Sequence, residues 1–201
     1  MQAVCADIRD SINSTRPLVI SIAAGITCGM LEKWLGNDIA MVRCMPNTPA
    51  LVQTAASGLF ANANVSAAQR VIAHQLLDAI GIVSWVEQEA LLDAVTALSG
   101  SGPAYFFMVM ELMMEAGKQL GLDAKTAEQL TLQTALGAAR MAISSDVDVK
   151  ELRRRVTSPN GTTEAAIKSF EADNLSAIFL RALNAADARS KSLAEEMSKA
   201  G

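Results

Sequence analysis

The hydrophobic pattern of this chain changes character near residue 87. Before that point, short apolar or β-branched runs recur: "LVISIAA" (18–24), "IAMVRCM" (39–45), "SGLFAN" (57–62) and "GIVSWVE" (81–87). Gly, Pro or Asn cluster near their ends, which predicts strands. Between them, "CGMLEKWLG" and "AAQRVIAHQLLDAI" show helical spacing, and Ser66 with Gln69 predicts a capping box opening the second. Strands alternating with helices predict an open α/β sheet whose ligands lie at the carboxyl ends of its strands.

From about Glu89 onward the pattern is helical throughout. "EALLDAVTAL", "GPAYFFMVMELMMEAGKQLG", "DAKTAEQLTLQTALGAARMAI", "DVKELRRRV", "TTEAAIKSFEA" and "LSAIFLRALNAADARSKSLAEEM" read as successive helices. Asp123 suits an N-cap and Gly121 the preceding C-cap. Ala, Leu and Met fill this half, which favours close helix packing, and its apolar content predicts burial against a second subunit.

Composition narrows the chemistry. With 201 residues, 51% hydrophobic and 19% charged, the chain can bury a core. A net charge of −4 argues against nucleic acid as a partner, and Arg153-Arg154-Arg155 reads as a solvated helix face. Cys5, Cys28 and Cys44 lack disulfide or zinc spacing and read as small core residues. His74 is the one histidine, which excludes multi-histidine metal sites; it reads as a surface or half-buried helical residue. No metal site is expected. No apolar run approaches the ~20 residues that span a bilayer. The acidic residues of "MQAVCADIRDSI" do not suit a signal peptide, so a cytoplasmic location is expected.

Three loops stand out. In "SGSGPAY", Pro103 suits the start of a helix whose N–H groups could receive an anion. No Lys or Arg follows and the preceding run is helical, so a tight helix–helix corner is preferred over a phosphate cradle. In "TSPNGTT", Thr157 and Ser158 offer hydroxyls, Asn160-Gly161 permits left-handed backbone, and Thr162 and Thr163 open a helix. This suits a carboxylate and a neighbouring heteroatom, and reads equally as an N-cap behind a serine-proline turn. "MPNTPALV" could place Asn47 at the carboxyl edge of the sheet, or simply be a proline-rich strand exit.

Together, "SIAAGIT", "VRCMPNTPALV", "LLDAVTALSGSGPAYFF" and "VTSPNGTTEAAI" resemble pyrroline-5-carboxylate reductase, over essentially the whole chain and in order. The resemblance implies an incomplete Rossmann-type NAD(P)-binding domain over residues 1–87. A helical substrate-binding and dimerisation domain would follow over 88–201. It implies reduction of 1-pyrroline-5-carboxylate to L-proline with NADPH or NADH, in homodimers that often stack into larger rings. By the same resemblance, Ile22, Ala23, Ala24, Met45, Pro46 and Asn47 would lie against the nicotinamide end of the cofactor. Ser158, Gly161, Thr162 and Thr163 would bind the substrate carboxylate and ring nitrogen, with Thr163 as the catalytic contact to the nitrogen. Glu89 matches a position near the substrate, and Gly100-Ser101-Gly102 becomes a packed corner beside the site.

The chain departs from the family in two places. Family members carry a G-x-G-x-x-G turn and further strands before the position matching Met1, and that turn does not occur in this sequence. The 201-residue chain is therefore expected to bind cofactor poorly and to be inactive alone. A non-catalytic oligomerisation fragment is the alternative, and a related dehydrogenase acting on another imine or carbonyl acid is a third reading. Asn160 stands where the family usually has glycine, and Asn tolerates the left-handed backbone.

Overall fold

In the computed structural model, which describes residues 1–199, the chain begins with α1 (Gln2–Thr15), β1 (Val19–Ser21), α2 (Cys28–Leu35) and β2 (Met41–Met45). A 3-10 turn (Thr48–Val52), β3 (Ala55–Ala61), α3 (Ala67–Asp78) and β4 (Gly81–Trp85) complete the sheet region. Helices follow: α4 (Leu91–Val95), a π-helical turn (Thr96–Gly100), α5 (Gly102–Gln119), α6 (Ala124–Ile143), α7 (Val149–Arg155), α8 (Thr162–Ala172) and α9 (Leu175–Lys199). The expected division into a partial Rossmann-like sheet and a helical half is what the chain forms.

The strands lie in the order β1-β2-β3-β4. β1 and β2 run parallel because α2 carries the crossover between them, and β3 and β4 run parallel because α3 does. β2 and β3 are antiparallel. Only a short loop with the 3-10 turn joins them, too little chain for a crossover. Side chains alternate between the two faces. Met41 joins α1 and α2 in a core with Cys5, Leu31, Trp34, Leu35 and Ile39. Val42, Cys44 and Leu59 point the other way, onto Ala73 and Leu77 of α3. Gly81, at φ +150, is required where β4 begins, since a Cβ there would sit 2.1 Å from the Ala55 carbonyl oxygen.

Several local expectations hold. The Ser66–Gln69 capping box opens α3, and Asp123 caps α6 by accepting from Thr126 N–H. The three cysteines are free and buried. His74 is half-buried, its Nδ1 accepting from Trp85 Nε1 at 3.3 Å. Arg154 and Arg155 are exposed and both pair with Glu151, whose carboxyl they hold down to about 2. No described helix is long and apolar enough to cross a membrane.

One expectation is corrected, and one element was not foreseen. "SGSGP" does not make a tight corner: the backbone stays right-handed through Ser101, whose N–H reaches Thr96 carbonyl five residues back, a π-type turn. The N-terminal segment, read from sequence only as unlike a signal peptide, forms α1.

The chain also separates into two compact units. One holds Met1–Pro103 together with α9 from Ala182 onward; the other holds Ala104–Arg181. The change from strands to helices near residue 87 is thus not the boundary of compactness. α4 packs on β3, and Ser190 of α9 donates to Asp93 of α4 at 2.6 Å. Gly58 leaves room for this packing: a Cβ there would lie 2.5 Å from a Val95 methyl.

Candidate active site

In the sheet-bearing unit, β1 and β2 run parallel with Ser21 opposite Arg43, so residues 22–24 and 45–47 leave the sheet at one edge. Ser21 Oγ accepts from Ala23 N–H at 3.4 Å. The Ile22 side chain is 66% exposed at this edge, beside the small Ala23 and Ala24. The loop turns at Gly25, which approaches Leu193 and Ala194 of α9. Asn47 is anchored at both ends of its amide: its Nδ2 donates to Ser99 carbonyl at 3.0 Å and its Oδ1 accepts from Ala56 N–H at 3.0 Å. It ties the strand exit to the π-helical turn. There, Met45 Cε fills the space a Gly100 side chain would need.

These features suit the nicotinamide end of a dinucleotide. A flat uncharged ring can lie on an exposed aliphatic side chain, and small neighbours let it approach the backbone. A pyrophosphate calls for a glycine-rich turn at a helix N-terminus, and the sequence holds no G-x-G-x-x-G. The fit therefore covers the nicotinamide end.

Glu89 reaches the same face from the segment after β4. Its Oε1 accepts from Arg43 at 2.8 Å and from Cys28 N–H, the first amide of α2, at 2.7 Å. The Cys28 thiol beside it is pushed up to about 12, by burial first and by the Glu89 charge second. Burial likewise raises Cys44 to about 11. Neither thiol is a nucleophile at neutral pH.

In the helical unit, the loop from Thr157 to Gly161 joins α7 to α8. Thr157 Oγ1 donates to Arg153 carbonyl at 2.6 Å, continuing α7. Asn160 adopts φ +59, the left-handed geometry its residue type allows. Its N–H donates to Glu164 Oε2 at 2.9 Å, and Glu164 also pairs with Lys168. Gly161 is the N-cap of α8 and supplies no side-chain cap, so the simple N-cap reading of this loop does not hold. Gly161 sits close to Ser158: a Cβ would lie 2.6 Å from its Oγ and 3.1 Å from its carbonyl oxygen, so any side chain here would displace the serine hydroxyl. Ser158, Thr162 and Thr163 are exposed around the uncapped N–H groups of α8. Such an end attracts a carboxylate, and the adjacent hydroxyls can donate to it or accept from an N–H.

Sequence reasoning missed Arg43, Glu164 and the contribution of α9 to the Gly25 turn. Arg43 was visible as the one charge inside the run "IAMVRCM". Glu164 lies four residues from Asn160, a spacing that could have been read as a loop-to-helix bond. The α9 contact spans too much sequence for any local signal.

Comparison with known proteins assigns the class first. Residues 89–193 match the family profile for pyrroline-5-carboxylate reductase dimerisation. A pyrroline-5-carboxylate reductase of Pseudomonas aeruginosa is 60% identical over 197 residues, covering 98% of this chain and 72% of that protein. One from Vibrio alginolyticus is 44% identical over 200 residues, covering 99% of this chain and 72% of its own. Among solved structures, the reductase of Coxiella burnetii superposes with a TM-score of 0.92 at 50% identity, over 96% of this chain and 71% of that one. The Plasmodium falciparum pyrroline carboxylate reductase, solved with NADP bound, gives 0.87 at 32% identity, over 96% of this chain and 77% of that one. The chain belongs to the pyrroline-5-carboxylate reductase family.

Proposed function

We propose that this chain acts in the reduction of 1-pyrroline-5-carboxylate to L-proline, the last step of proline biosynthesis, as a cytoplasmic homodimer. A reduced nicotinamide, when bound, supplies the hydride, and Ile22, Ala23, Ala24, Met45, Pro46 and Asn47 would hold its reactive end. Residues 1–87 then serve the cofactor and 88–201 serve substrate and dimerisation.

The observation that carries this reading is the uncapped start of α8. A substrate carboxylate placed there accepts from its free N–H groups and from Ser158, while Gly161 keeps the turn open. Thr162 lines the same end. Thr163 aligns the ring by hydrogen-bonding its nitrogen. As the hydride reaches the imine carbon, the C=N electron pair moves onto that nitrogen, which already carries its proton. No acid of shifted pKa is required, and binding and orientation account for the protein's part.

The test is L-proline binding to the 201-residue chain by calorimetry, beside turnover of 1-pyrroline-5-carboxylate with NADPH or NADH. Proline binding that weakens in Thr163→Ala supports the reading. A stable dimer that binds neither proline nor cofactor would instead identify an oligomerisation module.

A further inference from the structure

In the sheet-bearing unit, Gln2, Ala6 and Arg9 follow one another along one face of α1, four and then three residues apart. With Lys33 and Trp34 of α2 they wall a cleft of about 350 Å³. We propose that this cleft binds a phosphate group, free or as the monoester of a small molecule. Arg9 and Lys33 would hold it at the rim, and the indole N–H of Trp34 at the base.

Two independent observations meet here. Trp34 is only 9% exposed, and its Nε1 is buried without an acceptor in the protein. A buried N–H left without an acceptor is costly, and an oxygen brought to it removes that cost. The second observation is charge. Arg9 and Lys33 are exposed, and among the described residues neither enters an ion pair. Asp7 and Asp10, the acids of α1, pair with neither, and Glu32 accepts instead from Asn62 Nδ2 at 3.4 Å. Arg154, Arg155 and Arg189, by contrast, each find a carboxylate. Two unopposed cations beside one cleft make a local positive field in a chain of net charge −4. A doubly charged tetrahedral anion suits them better than a planar carboxylate, because it offers oxygens to donors on separate helices. An oxygen reaches the covered Nε1 as the exposed side chains of the rim give way.

The two tryptophans supply the test, since each gives one indole N–H resonance in the nitrogen-15 spectrum of the full chain. Inorganic phosphate and ribose 5-phosphate are titrated separately at constant pH and ionic strength. The Trp34 resonance should move saturably, while that of Trp85, whose Nε1 already donates to His74 Nδ1 at 3.3 Å, should stay. Arg9→Gln and Lys33→Gln should each weaken binding about tenfold, as loss of one charge-assisted contact does. Both side chains are exposed, so these variants are expected to fold. Trp34→Phe, which keeps an aromatic ring but no donor, should weaken phosphate binding measured by calorimetry. Tighter binding of ribose 5-phosphate identifies a monoester site, and equal binding a site for free phosphate. No saturable Trp34 shift with either probe overturns the proposal. So does a shift that chloride reproduces, or one that survives Arg9→Gln and Lys33→Gln combined. Acetate binding as tightly as phosphate overturns the choice of anion.

Discussion

The sheet-bearing unit and the helical unit treat their hydrophobic residues in opposite ways. Around the sheet, Leu35, Ile39, Met41, Val42 and Leu59 are almost completely buried by their own chain. In the helical unit, α6 buries only Ala127 and Thr131, and α7 and α8 bury nothing. Phe106 and Phe107 of α5 are 69% and 63% exposed, in company with Met108, Leu112, Leu136 and Phe179. An apolar surface of this extent suits an interface, since isolated soluble domains seldom expose it. The first unit buries a core within its own chain, although Leu51, Val52, Ile72 and Ile82 stay exposed. The second buries far less, and the dimerisation family it matches supports oligomer formation through such a face.

The sharpest way to break that comparison is to put charge on the exposed helical face. Replacing both Phe106 and Phe107 with Asp should weaken self-association about a thousandfold, or ~4 kcal/mol, since each ring forfeits roughly 1.5–3 kcal/mol of burial. Sedimentation velocity across a concentration series measures it. A monomeric unaltered chain with folded helices at micromolar concentration would sink the interface reading.

A cut in the sheet core should behave otherwise. Leu59→Ala leaves a cavity against α3 and should cost about 2–5 kcal/mol in denaturant melts followed by tryptophan fluorescence. The loss should not depend on protein concentration. If it does, the sheet-bearing unit also relies on a partner.

At the substrate loop the expected effect is on ligand and not on stability. Thr163→Ala should lower turnover, or proline affinity, tenfold to a hundredfold, about 1.5–3 kcal/mol, with the melting temperature preserved. Ser158→Ala should mainly raise KM, because a carboxylate contact is alike in ground and transition states. Unchanged binding in both variants would remove the loop from the site.

The smallest expected effect concerns Glu164. The Asn160 N–H, and then Lys168, hold its carboxyl below the ordinary value of 4.5. A depressed folded pKa means the stabilisation is present above the unfolded value and is lost as pH falls through the folded one. Thermal melts of the unaltered chain and Glu164→Gln should differ at about pH 6 and converge as pH falls below the ordinary carboxylate range. Parallel melts over that range would show that this carboxylate does not order the loop.

Much of this architecture was legible from local patterns. Strands at 19–21, 41–45 and 81–85 fall within the runs read from sequence, β3 begins at 55, two residues before its run, and every helix from α3 to α9 has its counterpart there. α1 was not read, although Val4, Cys5, Ile8 and Ile12 recur at helical spacing, because no cap marks its start. The loop from Thr157 to Gly161 was recognisable for a physical reason: Asn160 takes the left-handed backbone and Gly161 approaches Ser158 closely. Gly100 was read as part of a corner because a helical run precedes it and Pro103 opens another after it. Here it serves instead to admit Met45 beside a widened helical turn.

What the sequence determined by itself is therefore the local grammar: which segments are strands or helices, where the Ser66 and Asp123 caps fall, and that Asn160 takes the left-handed backbone. These follow from periodicity and backbone sterics, which act over a few neighbouring residues. Only the tertiary structure decided that β3 runs against β2, that the end of α9 packs beside the Gly25 turn, and that Arg43 and the Cys28 amide meet on one oxygen of Glu89. Glu89 lies 61 residues from Cys28 and 46 from Arg43, and a contact over such separations is set by how whole elements pack.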